Sequence, residues 1–306
     1  MVTLIAIGFA GFVAQLVDGS LGMGYGVTST SLLLTLGLAP ALASASVHLA
    51  EIGTTAASGL SHWRMGNVDM RSLLLIGMPG GVGGFVGAVV LANLSLDAAR
   101  PMVSVVLLVL GGVIIARFIH GRRSAARTEG GGAAATPNGE RRHGWTLIPL
   151  GLVGGFLDAS GGGGWGPVTT SSLMAAARMR PRTVIGTVSG SEFIVSVAAS
   201  VGFLLTLGSA GIDFGIVAML LGGGLVAAPI AAWLVGKFDD RALATGVGGL
   251  IIFLNVDRGL GLFGLSTTIG LGLRLAVAAL SIVVVAYLLL RSRARRSIAA
   301  SESGAA

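Results

Sequence analysis

Cysteine is absent from the 306 residues, and charged side chains are scarce. The missing thiols exclude disulfides, thiolate metal sites and a cysteine nucleophile. Charged residues make up 11% of the chain and hydrophobic residues 53%, whereas a typical soluble domain is about 25% charged. Several apolar runs approach or exceed the ~20 residues that cross the core of a bilayer. The composition therefore predicts an all-α fold, a polytopic integral membrane bundle whose main surroundings are the lipid bilayer.

Nucleotide-binding and enzyme motifs are also missing. The chain contains no GxxxxGK[ST] P-loop, so ATP-driven transport by this chain is not indicated. The four histidines, His48, His62, His120 and His143, are too scattered to suggest a metal site. The net charge of +7 is better explained by loop arginines that orient membrane helices than by nucleic-acid binding. We therefore expect a protein that is not an enzyme, with no catalytic residues, no cofactor, no metal and no nucleic-acid partner.

Apolar segments alternate with polar loops along the chain. The segments fall at 3–17, 25–37, 41–61, 71–93, 101–118, 145–157, 165–177, 183–208, 214–236, 242–255 and 273–290. A basic stretch rich in Gly and Ala lies between the fifth and sixth segments and is typical of a linker. We divide the chain into a first transmembrane repeat (1–118), a basic cytoplasmic linker (119–143), a second transmembrane repeat (144–256), an additional C-terminal transmembrane segment (257–290) and a basic disordered tail (291–306).

The two halves of the chain resemble each other. Residues 11–33, GFVAQLVDGSLGMGYGVTSTSLL, align with residues 151–173, GLVGGFLDASGGGGWGPVTTSSL, at a constant offset of 140. Further along, Asp69 and Asp213 open equivalent apolar segments, and an aspartate in that position predicts a helix N-cap. Two halves with matched features indicate a duplicated transporter.

The distribution of basic residues predicts a topology. If 3–37 and 145–177 are hairpins that return to the side they entered, 17 of the 20 Lys and Arg residues lie on the linker side, and only Arg100, Arg258 and Arg274 lie on the other. This bias obeys the positive-inside rule when the linker is cytoplasmic. It predicts inverted repeats and a cytoplasmic C-terminus. Each hairpin arm is shorter than a full crossing, so the first helix of each half is expected to be re-entrant or, alternatively, a single broken crossing helix.

An aspartate followed by a glycine cluster stands at the same place in each half. Glycine inside a helix costs up to ~1 kcal/mol relative to alanine, and broken backbone in a membrane is tolerated only where it lines a cavity or is buried in protein. Free N–H groups at the new helix starts, together with nearby hydroxyls, would attract an anion. The alternatives are that each aspartate caps a half-helix and that the glycines pack helices closely. The predicted substrate-binding residues are Asp18, Gly22, Gly24, Tyr25, Gly26, Thr28, Ser29, Asp158, Gly162, Gly164, Trp165, Gly166, Thr169 and Thr170.

Only four of the 13 acidic residues lie within the apolar segments or the predicted hairpins, namely the two aspartates above and the pair Glu51 and Glu192, which match at an offset of 141. A charge at bilayer depth costs roughly 2.5–3.5 kcal/mol on insertion scales, so such residues should face a polar cavity, bind an ion or carry a proton. His48 lies on the same helical face as Glu51, and its counterpart is Ser189. We predict that Glu51, Glu192 and His48 couple transport to protons or ions. The alternative is a structural hydrogen bond between helices.

The duplicated hydrophobic halves, the Gly-rich motif that opens each half and the basic central linker resemble the TauE/SafE family of sulfite exporters and sulfonate uptake permeases. The resemblance covers residues 3–290; the second motif keeps Pro167 after GGGGWG, where the first has Val27. It implies a permease of the bacterial inner membrane for a small sulfur-containing anion, such as sulfite or a sulfonate. Together with the residues, it predicts a secondary-active, proton-coupled transporter that holds its anion at the midplane. The alternative is a passive channel for small ions or solutes. The oligomeric state is left open, with a homo-oligomer as one alternative.

Overall fold

Helices make up nearly all of the chain that the computed structural model describes, which is residues 2–21, 23–120, 137–175, 179, 181–234, 240–260 and 267–303. A π-helical turn, Gly166–Thr170, and a 3₁₀ turn, Ser209–Gly211, interrupt the α-helices. No strand occurs among the described residues. The α-helices are α1 (Val2–Leu21), α2 (Tyr25–Thr35), α3 (Pro40–Arg64), α4 (Met70–Asn93), α5 (Leu96–His120), α6 (Pro137–Gly161), α7 (Ser171–Ala175), α8 (Pro181–Leu207), α9 (Phe214–Leu234), α10 (Asp240–Leu260) and α11 (Thr267–Ser303).

Six of the described helices are long and apolar enough to cross a membrane. They are Met70–Asn93, Leu96–Phe118, Arg182–Leu207, Phe214–Ala231, Arg241–Leu260 and Ile269–Arg291. Helix α1 adds a shorter apolar stretch, Thr3–Asp18. The predicted all-α, multi-pass membrane bundle is confirmed, because length and hydropathy, which are properties of the local sequence, decide which segments favour the bilayer.

The predicted N-caps on α4 and α9 are present. The Oδ1 atom of Asp69 accepts hydrogen bonds from the backbone N–H groups of Arg71 (3.0 Å) and Ser72 (3.2 Å). The Oδ1 atom of Asp213 accepts one from the N–H of Gly215 (2.8 Å). A carboxylate in this position satisfies N–H groups that have no partner inside the helix, which fixes where each helix begins.

The two halves of the chain interlock through glycine-lined helix contacts. Helix α4 of the first half packs along α6, the first helix of the second half, and α9 packs along α1 in the corresponding way. A Cβ added to Gly83 would overlap the carbonyl oxygen of Leu152, and one added to Gly223 would overlap that of Gly8. Small residues let helix backbones approach closely where the bilayer provides no hydrophobic driving force. The reciprocal packing fits a duplicated architecture, whereas the inverted orientation of the halves stays a prediction.

The predicted linker and tail differ in part from the structure. Residues 121–136 of the linker lie outside the described residues, and α6 already begins at Pro137. The segment expected to be a disordered tail is helical up to Ser303, as the end of α11. Its sequence is rich in arginine and alanine, which are among the best helix formers, so α11 continues through it.

Candidate functional site

Both glycine clusters interrupt the helical backbone. Between α1 and α2, Gly24 has a φ of 115°. After α6, Gly162 and Gly163 have φ values of 73° and 135°. Side chains with a Cβ rarely adopt these conformations, so glycine is required for both breaks. The predicted site residue Gly22 lies outside the described residues.

The two breaks cross each other in the middle of the fold. A Cβ added to Gly26 would lie 2.7 Å from the Cα atom of Gly163 and 3.1 Å from Oε1 of Glu51, and a Cβ on Gly163 would overlap the backbone of Gly26. The hydroxyl of Thr30 donates a hydrogen bond to the carbonyl oxygen of Gly162. The crossing thus joins the two halves of the chain at a place where only glycine fits.

The two repeat-matched aspartates hold the starts of the helices that follow the breaks. Oδ1 of Asp158 accepts hydrogen bonds from the N–H groups of Gly164 (2.5 Å) and Trp165 (2.9 Å). Oδ1 of Asp18 lies 3.4 Å from the donating N–H nitrogen of Tyr25. In this structure the aspartates therefore cap the helix starts, which is the alternative that the sequence left open, and the cap is tighter in the second half.

A cavity of about 210 Å³ lies beside the crossing. The carboxyl groups of Asp18, Glu51 and Glu192 line it, together with Tyr25 and Gly166 from the two breaks. Three of the four acidic residues of the apolar segments thus meet at one cavity. No lysine or arginine is among its described lining residues.

The fourth carboxyl group, that of Asp158, belongs to a buried cluster next to the cavity. Nδ1 of His48 lies 2.9 Å from Oε2 of Glu51 and 3.9 Å from Oδ2 of Asp158. All three side chains are at most 2% exposed. Their ligand atoms lie within 4.8 Å of one another, a set of one imidazole and two carboxylates that could also hold a divalent metal ion. Because the separation of His48 and Glu51 is a hydrogen-bond distance, the cluster is equally suited to share a proton.

The matched aromatic residues at the breaks have different surroundings. Tyr25 lines the cavity, and its hydroxyl donates a hydrogen bond to the carbonyl oxygen of Leu220 at 3.3 Å. Trp165 is fully buried in a separate apolar cluster, where its ring fills the space beside Gly80. Its Nε1–H donates to the carbonyl oxygen of Val188 at 3.3 Å. Of the predicted pair, the structure brings only Tyr25 to the cavity.

The hydroxyl groups predicted to bind substrate are buried in helix packing and are not among the cavity-lining residues. These are Thr28, Ser29, Thr169 and Thr170. The hydroxyl of Thr169 donates to the carbonyl oxygen of Trp165 within its own helix turn, and this internal bond satisfies it without a ligand. The buried hydroxyls of Thr28 and Thr170 have no hydrogen-bond partner among the described residues.

Polar groups that the sequence reasoning missed line the cavity instead. They are Gln15, Thr54, Thr55, Ser58, His62 and Ser189. The α3 members of this set follow Glu51 at helical spacings of three, four, seven and eleven residues, which places them on one face. A polar stripe along an otherwise apolar helix was the signal that could have identified them.

Comparisons with known proteins give one consistent result. The family model described as "Sulfite exporter TauE/SafE" matches residues 7–257. The chain is 49% identical over 255 residues to a Bacillus subtilis (strain 168) protein named "Probable membrane transporter protein YtnM". The alignment covers 83% of this chain and 82% of that protein. No solved structure matches the chain.

Proposed function

Because the chain belongs to the sulfite exporter TauE/SafE family of membrane transporters, we propose that it is a secondary-active, proton-coupled permease for a small anion, either a sulfur oxyanion or an organosulfonate. The observation that carries the proposal is the convergence of Asp18, Glu51 and Glu192 on one cavity beside the crossing of the two breaks. The family supports the sulfur chemistry, and the cavity supports the site and the coupling.

The anion is bound by neutral donors. Since no lysine or arginine is among the described lining residues, the hydroxyls of Ser58 and Ser189 and the amide of Gln15 supply hydrogen-bond donors. The hydroxyls of Thr54 and Thr55 donate to the carbonyl oxygen of Glu51 in this structure and would have to turn to the anion. The cavity of about 210 Å³ limits the substrate to a small molecule. Oxygens of a sulfite or sulfonate group, which accept several hydrogen bonds, suit such a site.

Protons accompany the anion because ionised carboxyl groups would repel it. At a separation of 4 Å, two like charges repel by about 4 kcal/mol at an effective dielectric constant of about 20. Protonation of Glu51 or Glu192 removes this repulsion and converts an acceptor into a donor for the anion. The contacts of His48 with Glu51 and Asp158 give the proton a second place within the same cluster.

Uptake into proteoliposomes tests this coupling. We expect labelled sulfite or an alkanesulfonate to accumulate with an inward proton gradient, and the variants Glu51→Gln and Glu192→Gln to lose at least about tenfold of that accumulation, because glutamine cannot carry the proton. Asp97→Asn, which alters an exposed carboxylate at the start of α5, is the matched control and should accumulate the anion normally.

Three outcomes of the uptake assay would contradict the proposal. Unchanged gradient-driven accumulation in both glutamine variants would remove the coupling role. Downhill flux without any accumulation by the unaltered protein would show a passive channel. Efficient competition by simple carboxylates, but not by sulfite, thiosulfate or sulfonates, would show a different substrate class.

We place the protein in the bacterial inner membrane with its C-terminus in the cytoplasm. Arg64, Arg71 and Arg182 lie at one end of the bundle, where a cavity lined by Arg182 adjoins the loop between α3 and α4. This end is called the arginine end, and the positive-inside rule assigns it to the cytoplasm. A green fluorescent protein fused after Ala306 should therefore fluoresce, because it folds in the cytoplasm. A non-fluorescent fusion, together with an active alkaline phosphatase when that enzyme is fused at the same place instead, would contradict the orientation.

A further inference from the structure

Helices α3 and α8 form the two walls of a path from the arginine end to the central carboxyl groups. They run antiparallel, since His62 lies beside Gly186 and Gly59 lies beside Gly190, while Glu51 meets Ser196 near the middle. The cavity of about 210 Å³ extends from Glu51 and Glu192 to residues near this end of both helices, which are Ser58, His62, Ile185 and Ser189.

A second cavity continues the path outward. Its volume is about 420 Å³, and it lies one helical turn beyond the first, with Met65, Asn67 and Arg182 in its lining. Ser58 and Ser189 line the first cavity on the side that faces the second, and both residues are partly exposed. The two cavities therefore leave accessible space beside α3 and α8 on the way from the carboxyl groups to the arginine end.

The repeat assigns an equivalent position at the opposite end to each residue of this path. With the offset of 141 that matches Glu51 to Glu192, Ser58 corresponds to Ala199 and His62 to Phe203. In the other direction, Ser189 corresponds to His48 and Ile185 to Ser44. On the side of the carboxyl groups away from the arginine end, α3 and α8 thus contain the counterparts of the residues that line the path.

These counterparts are closed off in the structure. The rings of His48 and Phe203 stack with their centroids 6.2 Å apart and an interplanar angle of 21°. The hydroxyl of Ser44 donates a hydrogen bond to the carbonyl oxygen of Ala159 at 2.7 Å. The side chains of Ser44, His48, Ala199 and Phe203 are all 0% exposed. Equivalent positions are therefore open at one end and tightly packed at the other.

We propose that the stacked pair of His48 and Phe203 is the closed gate of an alternating-access cycle, and that the open gate is its counterpart, His62 and Ser189. Two states that exchange the packing of equivalent halves would open the path alternately to each side of the membrane. Nδ1 of His48 also lies 2.9 Å from Oε2 of Glu51. Opening the gate therefore separates His48 from the carboxyl group that we propose to carry the proton. This inference rests on the proposed function only in taking the carboxyl-lined cavity as the transport site.

Thiol accessibility tests the gate, and the natural absence of cysteine makes every variant a single-cysteine protein. Ser58→Cys and Ile185→Cys are compared with their repeat counterparts Ala199→Cys and Ser44→Cys in oriented membrane vesicles. A membrane-impermeant methanethiosulfonate reagent is applied to each face separately. We expect the first two thiols to react at least about tenfold faster from the arginine end than the second two react from either face, because reactivity follows the population of exposed states.

Opening the gate by mutation supplies the decisive comparison. Phe203→Ala, combined with Ala199→Cys, should raise labelling from the opposite face at least about tenfold by shifting the population toward a state open on that side. Phe203→Leu keeps most of the packing and should raise labelling less. A size-exclusion profile matching that of the unaltered protein confirms that each variant is folded.

Two results would overturn the gate. One is equal labelling of the Ser58→Cys and Ala199→Cys proteins from their respective faces; the other is unchanged labelling of a folded Phe203→Ala, Ala199→Cys protein. Because labelling is measured without any substrate, these results stand apart from the uptake assay. A normal labelling contrast with no sulfur-anion uptake would contradict the proposed substrate and leave the gate intact.

Discussion

Equivalent residues in the two halves serve different purposes at the central crossing. Asp158 is 1% exposed and accepts two backbone hydrogen bonds, whereas Asp18 is only partly buried and lines the cavity. Tyr25 and Trp165 diverge in the same way. Of the two matched motifs, the second therefore mainly fixes the backbone and the first faces the cavity.

Gly163 combines two residue-scale constraints, one on backbone conformation and one on packing. An alanine there would combine an unfavourable backbone at φ 135° with overlap of the Gly26 backbone. We expect Gly163→Ala to lower the free energy of unfolding by about 2 kcal/mol or more, measured by denaturation in detergent micelles. Gly112→Ala is the control, since an added Cβ at this α5 position meets nothing within 4 Å and alanine favours helix. Equal stability of the two variants would contradict the crossing.

At the scale of the element, α3 is the central helix of the site. Its polar face carries Glu51 and the hydroxyls that line the cavity, and the face of α8 that lines the same cavity carries Glu192 and Ser189. Each helix is buried in protein on this face, so polar groups that lipid would exclude are tolerated there. The pairing of two such faces creates the polar path through an apolar bundle.

Filling this path should block transport without unfolding the protein. Ser58→Leu places a branched apolar side chain in the cavity, and we expect uptake to fall on the order of tenfold or more, because small displacements of a bound substrate strongly reduce rates. Ala57→Leu, one residue away and exposed on the outer face of α3, should transport normally. The comparison is made as initial uptake rates at equal protein incorporation. Normal uptake by a folded Ser58→Leu protein would contradict the path.

At the scale of the whole molecule, the halves depend on each other. The α4–α6 and α9–α1 contacts bury glycine-lined backbone, and the central crossing contains one break from each half. By contrast, α11 packs mainly on α10 and exposes large apolar side chains such as Leu275, Ile282 and Leu290. The carboxyl-lined cavity thus lies between the two halves, and α11 lies at the periphery.

This dependence predicts how the chain behaves when it is cut. Co-expression of residues 1–128 and 129–306 should yield a complex that co-purifies and transports, since the cut lies in the linker and leaves every described helix contact intact. Either half expressed alone should aggregate or be degraded, because its glycine-lined faces and buried carboxyl groups lose their partners. A monodisperse single half would contradict the interlocked packing.

The sequence alone determined the membrane class, the helix boundaries to within a few residues at most places, the caps at Asp69 and Asp213, and the positions of the two breaks. Hydropathy, capping and the conformational preferences of glycine act over a few residues, so they can be interpreted from local sequence. The pairing of Glu51 with Glu192 was also visible, because a repeat needs no structure to be detected.

Only the tertiary structure decided which of these residues meet. His48 contacts Asp158 from the other half of the chain, Trp165 turns into an apolar cluster while Tyr25 reaches the cavity, and Phe203 stacks on a histidine 155 positions earlier in the sequence. Local preferences do not specify such contacts, since they arise where faces of four or more helices from both halves pack together. The cavity is formed between those faces. Its hydroxyl lining and the closely packed region around His48 and Phe203 therefore follow from the tertiary packing.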